Sequence, residues 1–222
     1  MIVTIDGPAG TGKSTVAKLL AKKLGFSFFD TGAMYRAFSW WVRFHQIDMR
    51  SLIETSPKQL EIFPFEIIED NGGKKYLVGG RDVTEEIRCK DITEDVSKIS
   101  AVKEIRELLL PLQRDYALHH DVVFEGRDLG TVVFPQADVK FFLTASPEIR
   151  AWRRYQEMIA KDPHTPLQFE EVKNSLQQRD EQDATREIAP LRCPEDATIV
   201  DTTALSIEEV VEILSIHVLE RK

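Results

Sequence analysis

The hydrophobic positions of this chain form short apolar runs that alternate with stretches of helical spacing. A buried-strand run covers residues 2–5, and residues 13–24 follow with apolar side chains spaced as on one face of a helix. Residues 26–30 repeat the strand pattern, and a second helical stretch begins at Thr31. Because strands that alternate with helices in this way form parallel sheets covered on both faces, we predict an α/β fold.

The same alternation returns in the second half of the chain. A helix is predicted around residues 105–116, although Pro111 lies inside it and should kink or break it. Ser146 and Pro147 combine an N-cap with a first-turn proline, and Ser206 begins a capping box for the last helix. The other predicted elements are strands at residues 122–126, 139–143 and 197–201 and a helix from about 169 to about 185, which brings the parallel sheet to five strands.

Residues 63–84 follow a different pattern. Phe63–Ile68 is a strand-like run, residues 70–73 (D-N-G-G) are a strong turn sequence, and residues 75–78 form a second strand-like run. We therefore expect a small antiparallel insertion that lies apart from the parallel core. Two interpretations remain open for it: a decorative hairpin, or a segment that covers a substrate.

Composition and charge narrow the class of protein. A chain of 222 residues with 42% hydrophobic and 30% charged residues is typical of a soluble globular protein, and we expect one domain over residues 1–222. The net charge of −8 argues against broad binding to nucleic acid or anionic membranes. Cys89 and Cys193 are far apart, as in proteins of a reducing compartment. Since no apolar run reaches transmembrane length and the first residues already form a strand rather than a signal peptide, we expect a cytoplasmic protein.

The segment between the first strand and the first helix carries a phosphate-binding loop. Its pattern is G-x-x-x-x-G-K-S, and its strand-before, helix-after context is the one that the P-loop motif requires. Glycines let backbone N–H groups wrap an anion, Lys13 can reach the outer phosphates, and the Ser14 hydroxyl suits Mg²⁺. An ordinary Gly/Pro turn would not require all of these positions to be filled. The predicted ATP-binding residues are Gly7, Pro8, Ala9, Gly10, Thr11, Gly12, Lys13, Ser14 and Thr15, with Ser14 as the metal ligand.

The late helices are rich in arginine. Residues 150–192 contain six Arg and two Lys against eight acidic residues, so this segment is neutral within an acidic chain. Arg150, Arg153 and Arg154 share one helix face, and in the next helix an apolar stripe ends in charged residues. The simplest interpretation is a solvated surface with local ion pairs. In a chain that binds a triphosphate, we favour arginines that contact phosphate during phosphoryl transfer.

These features point to a small kinase. The N-K-x-D guanine motif of GTP-binding switches is absent from the sequence. A loop between the two arginine-rich helices could act as a lid, which is the layout of an enzyme that closes over two substrates and excludes water.

Four sequence blocks stand out along the chain: residues 7–15 (GPAGTGKST), 30–36 (DTGAMYR), 125–135 (EGRDLGTVVFP) and 179–191 (RDEQDATREIAPL). These blocks resemble the motifs of bacterial cytidylate kinases, and they occur in the order found in that family. The three blocks after the P-loop are far more specific than the P-loop itself. The resemblance spans nearly the whole chain and includes the antiparallel insertion that shorter UMP/CMP kinases lack.

The resemblance implies an adenylate kinase-like fold with a five-stranded parallel core, a monophosphate-binding segment at about residues 45–100 and a mobile lid at about residues 150–168. It also implies transfer of the γ-phosphate of ATP to CMP or dCMP. The substrate-binding residues implied are Thr31, Tyr35 and Arg36 in the monophosphate site, Arg36 and Arg127 on the CMP phosphate, Ser97, Arg106 and Asp128 on cytosine, and Arg179 and Asp183 on the sugar. Lys13, Arg127, Arg153, Arg154 and Arg186 would act in catalysis, the last three by supplying positive charge from the lid side, and Arg186 would also bind substrate.

The implied base contacts make chemical sense. Cytosine presents an amino donor at N4 beside acceptors at N3 and O2, so a carboxylate such as Asp128 can accept while Arg106 donates. Uracil presents a carbonyl and an N–H at the corresponding positions. Such buried mismatches are discriminated strongly, and the pair therefore predicts a preference for CMP over UMP.

The expected mechanism needs no general base, because a phosphate monoester with a second pKa of about 6 is already largely dianionic at neutral pH. Three departures from the family pattern bear on the site: Glu125 stands where Asp is common, Thr31 replaces a common Ser, and Pro111 interrupts the helix after Arg106. The alternatives are a kinase of another small acceptor, such as shikimate or a different nucleotide, and an ATP-dependent binding or regulatory protein. We expect a monomer.

Overall fold

The computed structural model describes residues 1–48, 63–70, 73–163 and 166–221. Within these ranges the chain forms two compact units, one of Met1–Phe29 with Tyr116–Lys222 and the other of Asp30–Asp115. The expected monophosphate-binding segment and the expected lid each include residues outside the described ranges, at 49–62 and 71–72 in the first and 164–165 in the second.

The described elements alternate much as the sequence pattern predicts. In chain order they are β1 (Ile2–Asp6), α1 (Lys13–Leu24), β2 (Ser27–Asp30), α2 (Thr31–Phe44), β3 (Phe65–Asp70), β4 (Gly73–Val78), β5 (Arg81–Asp82), a 3₁₀ turn (Glu86–Arg88), α3 (Lys90–Ile99), α4 (Lys103–Leu118), β6 (Val122–Glu125), a π-helical turn (Leu129–Val133), β7 (Val139–Thr144), α5 (Pro147–Lys161), α6 (Phe169–Thr185), β8 (Thr198–Asp201) and α7 (Ile207–Leu219).

A five-stranded sheet in the order β2-β6-β1-β7-β8 forms the centre of the first unit. Strand β1 pairs in parallel with β6 on one side and β7 on the other, and β7 pairs in parallel with β8. Ile5 lies opposite Glu125 and Asp6 lies opposite Phe142. Because parallel strands end at the same edge, the loops after β1 and β6 leave the sheet side by side, where ligands of open α/β sheets bind. The predicted α/β fold with a five-stranded parallel core is confirmed.

Helix α1 is held to this sheet by an apolar face and closed by a glycine. Val16 and Leu20 are buried against Phe141 of the sheet and Leu214 of α7. Gly25 ends the helix in the left-handed conformation and its N–H donates to carbonyls of the last turn. The capping box predicted at Ser206 is also present, with both reciprocal hydrogen bonds formed.

In the second unit, α2 packs against a separate antiparallel sheet. The Asp30 carboxylate accepts from the backbone N–H of Ala33 at 2.9 Å and so caps α2. The sheet has the order β3-β4-β5 with antiparallel pairing, and α2 contacts β4, α3 and the 3₁₀ turn. Phe38 of α2 meets Phe63 edge to face. The predicted antiparallel insertion is therefore confirmed.

The sequence predicts that Pro111 kinks or breaks its helix, and the structure shows no break. Helix α4 runs from Lys103 to Leu118 with Pro111 inside it. The proline removes one N–H, that of residue 111, yet the helix continues beyond it to Leu118. Ile105 and Leu109 are fully buried on its packed face. Packing of this face outweighs the loss of one backbone hydrogen bond.

Gly7 occupies a position where a side chain has no room. Its φ is +141°, and a Cβ built there would lie 2.0 Å from the carbonyl oxygen of Leu143. We expect Gly7→Ala to lower the free energy of unfolding by about 3 kcal/mol or more, since backbone strain and a backbone clash combine. Chemical denaturation measures this. Gly25→Ala is the matched control, with φ +70° but nothing within 4 Å of the added Cβ, so its loss should be only about 1 kcal/mol. Equal losses in the two variants would contradict the clash at Gly7.

Candidate active site

The P-loop lies between the central strand β1 and helix α1. Gly12 is the N-cap of α1, with φ +88°, and it offers no side-chain hydrogen bond to the first turn. The N–H groups of that turn therefore point out of the helix end with no side chain capping them. A helix N-terminus in this state, next to glycine-rich backbone, is a site for phosphate.

Lys13 is buried at the start of α1. Its Nζ donates to the Pro8 carbonyl oxygen at 2.5 Å and lies 3.4 Å from Thr11 Oγ1. Burial, followed by the positive charge of Arg127, lowers the pKa of Lys13 to about 7. The lysine thus folds back on its own loop, and an anion in the loop would favour its charged form.

Ser14 and Glu125 meet at the ends of α1 and β6. The Ser14 hydroxyl donates to Glu125 Oε2 at 2.9 Å, and the Glu125 side chain is only 9% exposed. Arg127 Nη1 lies 3.8 Å from the other carboxylate oxygen. A hydroxyl and a carboxylate, both oxygen donors, therefore lie side by side next to the P-loop.

Asp6, at the end of β1, is a functional candidate that sequence reasoning missed. One carboxylate oxygen accepts from the N–H of Leu129 at 3.0 Å and the other from the N–H of Gly130 at 2.8 Å. These bonds hold the π-helical turn directly after Arg127 and Asp128. The available indication was a carboxylate at the end of an otherwise apolar buried strand. Burial raises the pKa of Asp6 to about 7, and the two N–H bonds only partly offset this effect.

The raised pKa of Asp6 predicts how the free energy of unfolding changes with pH. Between about pH 4 and about pH 7 the folded state keeps a proton that the unfolded state has lost, so this group's contribution to stability falls as pH rises, by at most about 1.4 kcal/mol per pH unit. We expect the free energy of unfolding of wild type relative to Asp6→Asn to fall over this window. Urea denaturation at a series of pH values measures it, and the opposite slope would contradict the raised pKa.

A network of buried charges joins the end of β6 to the end of α6. Arg127 Nε lies 3.2 Å from Asp183 Oδ2, and Arg186 Nη2 lies 3.1 Å from Asp128 Oδ1. Arg186 Nη1 is also 3.8 Å from Asp183 Oδ1. The structure thus brings together four of the predicted substrate-contacting residues. The pair Arg127 and Asp128 lies more than 50 positions before its partners in the chain. Arginines and carboxylates that alternate in this way can each exchange a protein partner for a substrate group.

The arginines predicted to share a face of α5 turn to different partners. Arg153 donates to Thr202 Oγ1 at 3.0 Å and to the Thr202 carbonyl at 2.6 Å, and burial lowers its pKa. Arg154 pairs with Glu157 at 2.9 Å near the surface. The positive charge of Arg179 is one of the smaller influences that lower the pKa of Lys13.

The remaining predicted residues lie in the second unit. Arg106 is 8% exposed, donates to the Ser100 carbonyl at 3.1 Å and places its guanidinium carbon 5.7 Å from the centre of the Tyr35 ring. Ser100 in turn donates to the carbonyl of Ser97 at 3.2 Å. Thr31 is buried in the first turn of α2, and Arg36 follows one turn later. The structure therefore brings Tyr35 and Arg106 into contact and links Arg106 to Ser97 through Ser100.

The part of the chain that the structure describes offers neither a metal centre made of protein side chains alone nor a membrane-spanning helix. No group of three or more His, Cys, Asp or Glu side chains there could hold a metal ion by itself. Among the same residues, no helix has the length and apolar character needed to span a membrane.

Comparison with known proteins finds similarity over nearly the whole chain. The family model described as cytidylate kinase matches residues 3–219. The chain is 48% identical to a cytidylate kinase from Protochlamydia amoebophila, covering 95% of this chain and 93% of that relative. It is 51% identical to one from Carboxydothermus hydrogenoformans, covering 95% and 94%. Among solved structures, it is similar to a shikimate kinase from Acinetobacter baumannii in complex with shikimate, with TM-score 0.49, 16% identity, and coverage of 100% of this chain and 94% of that one.

Proposed function

Because this chain belongs to the cytidylate kinase family and is therefore a nucleoside monophosphate kinase, we propose that it transfers the γ-phosphate of ATP to CMP or dCMP. The products are ADP and CDP or dCDP. The observation that carries the proposal is the buried network of Arg127, Asp128, Asp183 and Arg186 in the same unit as the P-loop. It offers guanidinium groups to phosphate and a carboxylate to the cytosine amino group.

The donor triphosphate is bound by the P-loop. Backbone N–H groups of the loop after Ala9, from Gly10 to Thr15, and the uncapped N-terminus of α1 face the phosphates, and Lys13 leaves the Pro8 carbonyl to contact the transferred group. Its burial then works in favour of transfer, because a charge in a site with little water interacts strongly with developing negative charge.

The residues beside the P-loop fit a magnesium ion. Mg²⁺ prefers oxygen ligands, keeps several waters and needs only one or two protein groups besides the substrate phosphates. Ser14 Oγ would bind the ion directly, and Glu125, 2.9 Å from that hydroxyl, would accept hydrogen bonds from its waters. When bound, the ion neutralises phosphate charge and helps to orient the triphosphate.

The acceptor roles proposed here are those that the resemblance to the family implies. Arg36 and Arg127 bind the CMP phosphate, Asp128 accepts from cytosine N4, Ser97 and Arg106 contact the base, and Arg179 and Asp183 contact the sugar. Thr31 and Tyr35 complete the monophosphate site. In-line transfer then depends on alignment and on charge neutralisation by Lys13, Arg153, Arg154 and Arg186, with no general base.

Further proposals concern the organisation of the protein. We propose that residues of about 45–100 bind the monophosphate and that residues of about 150–168 act as a lid. We also propose a cytoplasmic monomer that binds small nucleotides rather than nucleic acid or membranes, in keeping with the net charge of −8. Light scattering with and without ATP tests the monomer.

A panel of acceptors tests the proposed function. Purified protein is incubated with ATP and Mg²⁺ and, in separate reactions, with CMP, dCMP, UMP, AMP, GMP or shikimate. We expect CMP and dCMP to react at least about a hundredfold faster than AMP or GMP, since a site built for specific hydrogen bonds rejects mismatched bases. Removal of Mg²⁺ with EDTA should abolish turnover. Equal turnover of CMP, AMP and GMP would exclude the proposal.

A further inference from the structure

Ala9 of the P-loop is held by two residues to which the proposed function gives no role, Arg150 of α5 and Asp180 of α6. Asp180 Oδ1 accepts from the backbone N–H of Ala9 at 2.9 Å, and Arg150 Nη1 donates to the carbonyl oxygen of Ala9 at 3.0 Å. Arg150 Nη1 also donates to Asp180 Oδ2, which closes a ring around this one residue. Both polar backbone groups of Ala9 are therefore bound by a single ion pair.

The surrounding packing shows that this contact is tightly built. The methyl group of Ala9 is buried with Ala151, Val172 and Leu176 in a small apolar cluster shared by α5 and α6. A Cβ built on the neighbouring Gly10 would lie 2.9 Å from the carbonyl oxygen of Arg150. The loop thus approaches α5 at a distance that only glycine allows.

The ion pair itself is largely protected from water. The side chains of Arg150 and Asp180 are 12% and 16% exposed. Arg150 Nε also donates to the carbonyl of Ala145, at 3.2 Å, which fixes the guanidinium plane. A planar guanidinium held at several points is suited to orienting backbone rather than to moving with substrate.

We propose that Arg150 and Asp180 are positioning residues that fix the P-loop in its ATP-binding shape. They touch neither phosphate nor acceptor; they act through the Ala9 peptide, which sets the direction of the loop N–H groups that follow it. The inference rests on the proposed function for its assay, but it concerns the ATP side of the reaction alone. Loss of the contacts that Arg150 and Asp180 make with Ala9 should therefore weaken ATP binding and leave CMP binding unchanged.

Two variants separate positioning from simple stabilisation of the helix pair. Asp180→Asn keeps an oxygen that can accept from Ala9 but removes the charge facing Arg150. The double variant Arg150→Met with Asp180→Leu replaces a buried ion pair by apolar groups, a change that proteins often tolerate without loss of stability. This second variant keeps the test valid if a single substitution, which leaves a buried charge alone, fails to fold.

The control variant is Lys173→Ala. Lys173 pairs with Glu148 at 3.0 Å and also joins α6 to α5, but neither residue is bonded to the P-loop in the described structure. The variant Lys173→Ala removes an ion pair between the same two helices and leaves the contacts of Arg150 and Asp180 with Ala9 in place.

The experiment measures ATP binding by equilibrium titration, KM for ATP and for CMP, and Tm. In the double variant we expect Kd and KM for ATP to rise by about tenfold or more, with KM for CMP changed by less than about twofold. Asp180→Asn should give a smaller rise in the same direction, and Lys173→Ala should change none of the three constants. An unchanged Kd for ATP in the double variant, or equal rises for ATP and CMP, would overturn the proposal. ATP titration needs no acceptor. A wild-type protein that binds ATP but does not phosphorylate CMP would therefore refute the proposed function and leave the proposal for Arg150 and Asp180 standing.

Discussion

Substitution of Lys13 by alanine should lower kcat/KM for phosphoryl transfer about a thousandfold or more, because a preorganised positive charge is removed from the phosphate being transferred.

The fold should persist in this variant. Lys13 is buried with its pKa lowered to about 7, so between that pH and its ordinary pKa the unfolded state binds a proton that the folded state does not. This group's contribution to stability therefore rises with pH over that window, and Lys13→Ala should lose the rise while otherwise unfolding like wild type, within about 2 kcal/mol.

A coupled assay of ADP release over a range of ATP concentrations at saturating CMP measures kcat/KM for ATP, and urea denaturation measures the fold. Lys18→Ala is the matched control, because Lys18 is an exposed lysine on the same helix. It should retain wild-type turnover. A Lys13→Ala variant that keeps more than about a tenth of wild-type kcat/KM would show that the lysine is not the main electrostatic group of the donor site.

The elements of this fold could be predicted because their signals are local. Glycine at position 25, serine at 146 and the box at Ser206 each mark a helix end through hydrogen bonds within a few residues. Helix α6 has the bounds that its pattern predicts, Phe169–Thr185. Pro111 shows the limit of such signals. Proline disfavours a helix interior, yet α4 continues through it because one face of this helix is buried.

The chemistry of the P-loop could also be read from sequence, but the partners of the site's charges could not. The pairing of Asp6 with Leu129 and Gly130 crosses more than 120 positions, and that of Ala9 with Asp180 crosses 171. Nothing local to Asp6 predicts the π-helical turn that it holds. Three arginines on one helix face looked equivalent, yet Arg150 binds the P-loop while Arg153 binds Thr202. Such assignments depend on which strand ends meet, and the chain order alone leaves several combinations open.

The choice of base should depend on Asp128. In the described structure its carboxylate pairs with Arg186 at 3.1 Å, and both side chains are less than a tenth exposed. A carboxylate can only accept, which suits the amino group of cytosine and opposes the carbonyl of uracil. In Asp128→Asn the amide can donate to that carbonyl instead. We expect the ratio of kcat/KM for CMP to that for UMP to fall by about a hundredfold or more, through loss of CMP and some gain of UMP.

The matched control for this change is Asp183→Asn, because Asp183 is a buried carboxylate that also contacts Arg186 and in addition pairs with Arg127. Both substitutions remove a negative charge from the same network, so both should reduce turnover of CMP. Only the change at Asp128 should alter the preference between bases, since Asp183 is assigned to the sugar. A preference that shifts equally in both variants would mean that selectivity comes from the charge of the network, and an unchanged preference in Asp128→Asn would remove this residue from base recognition.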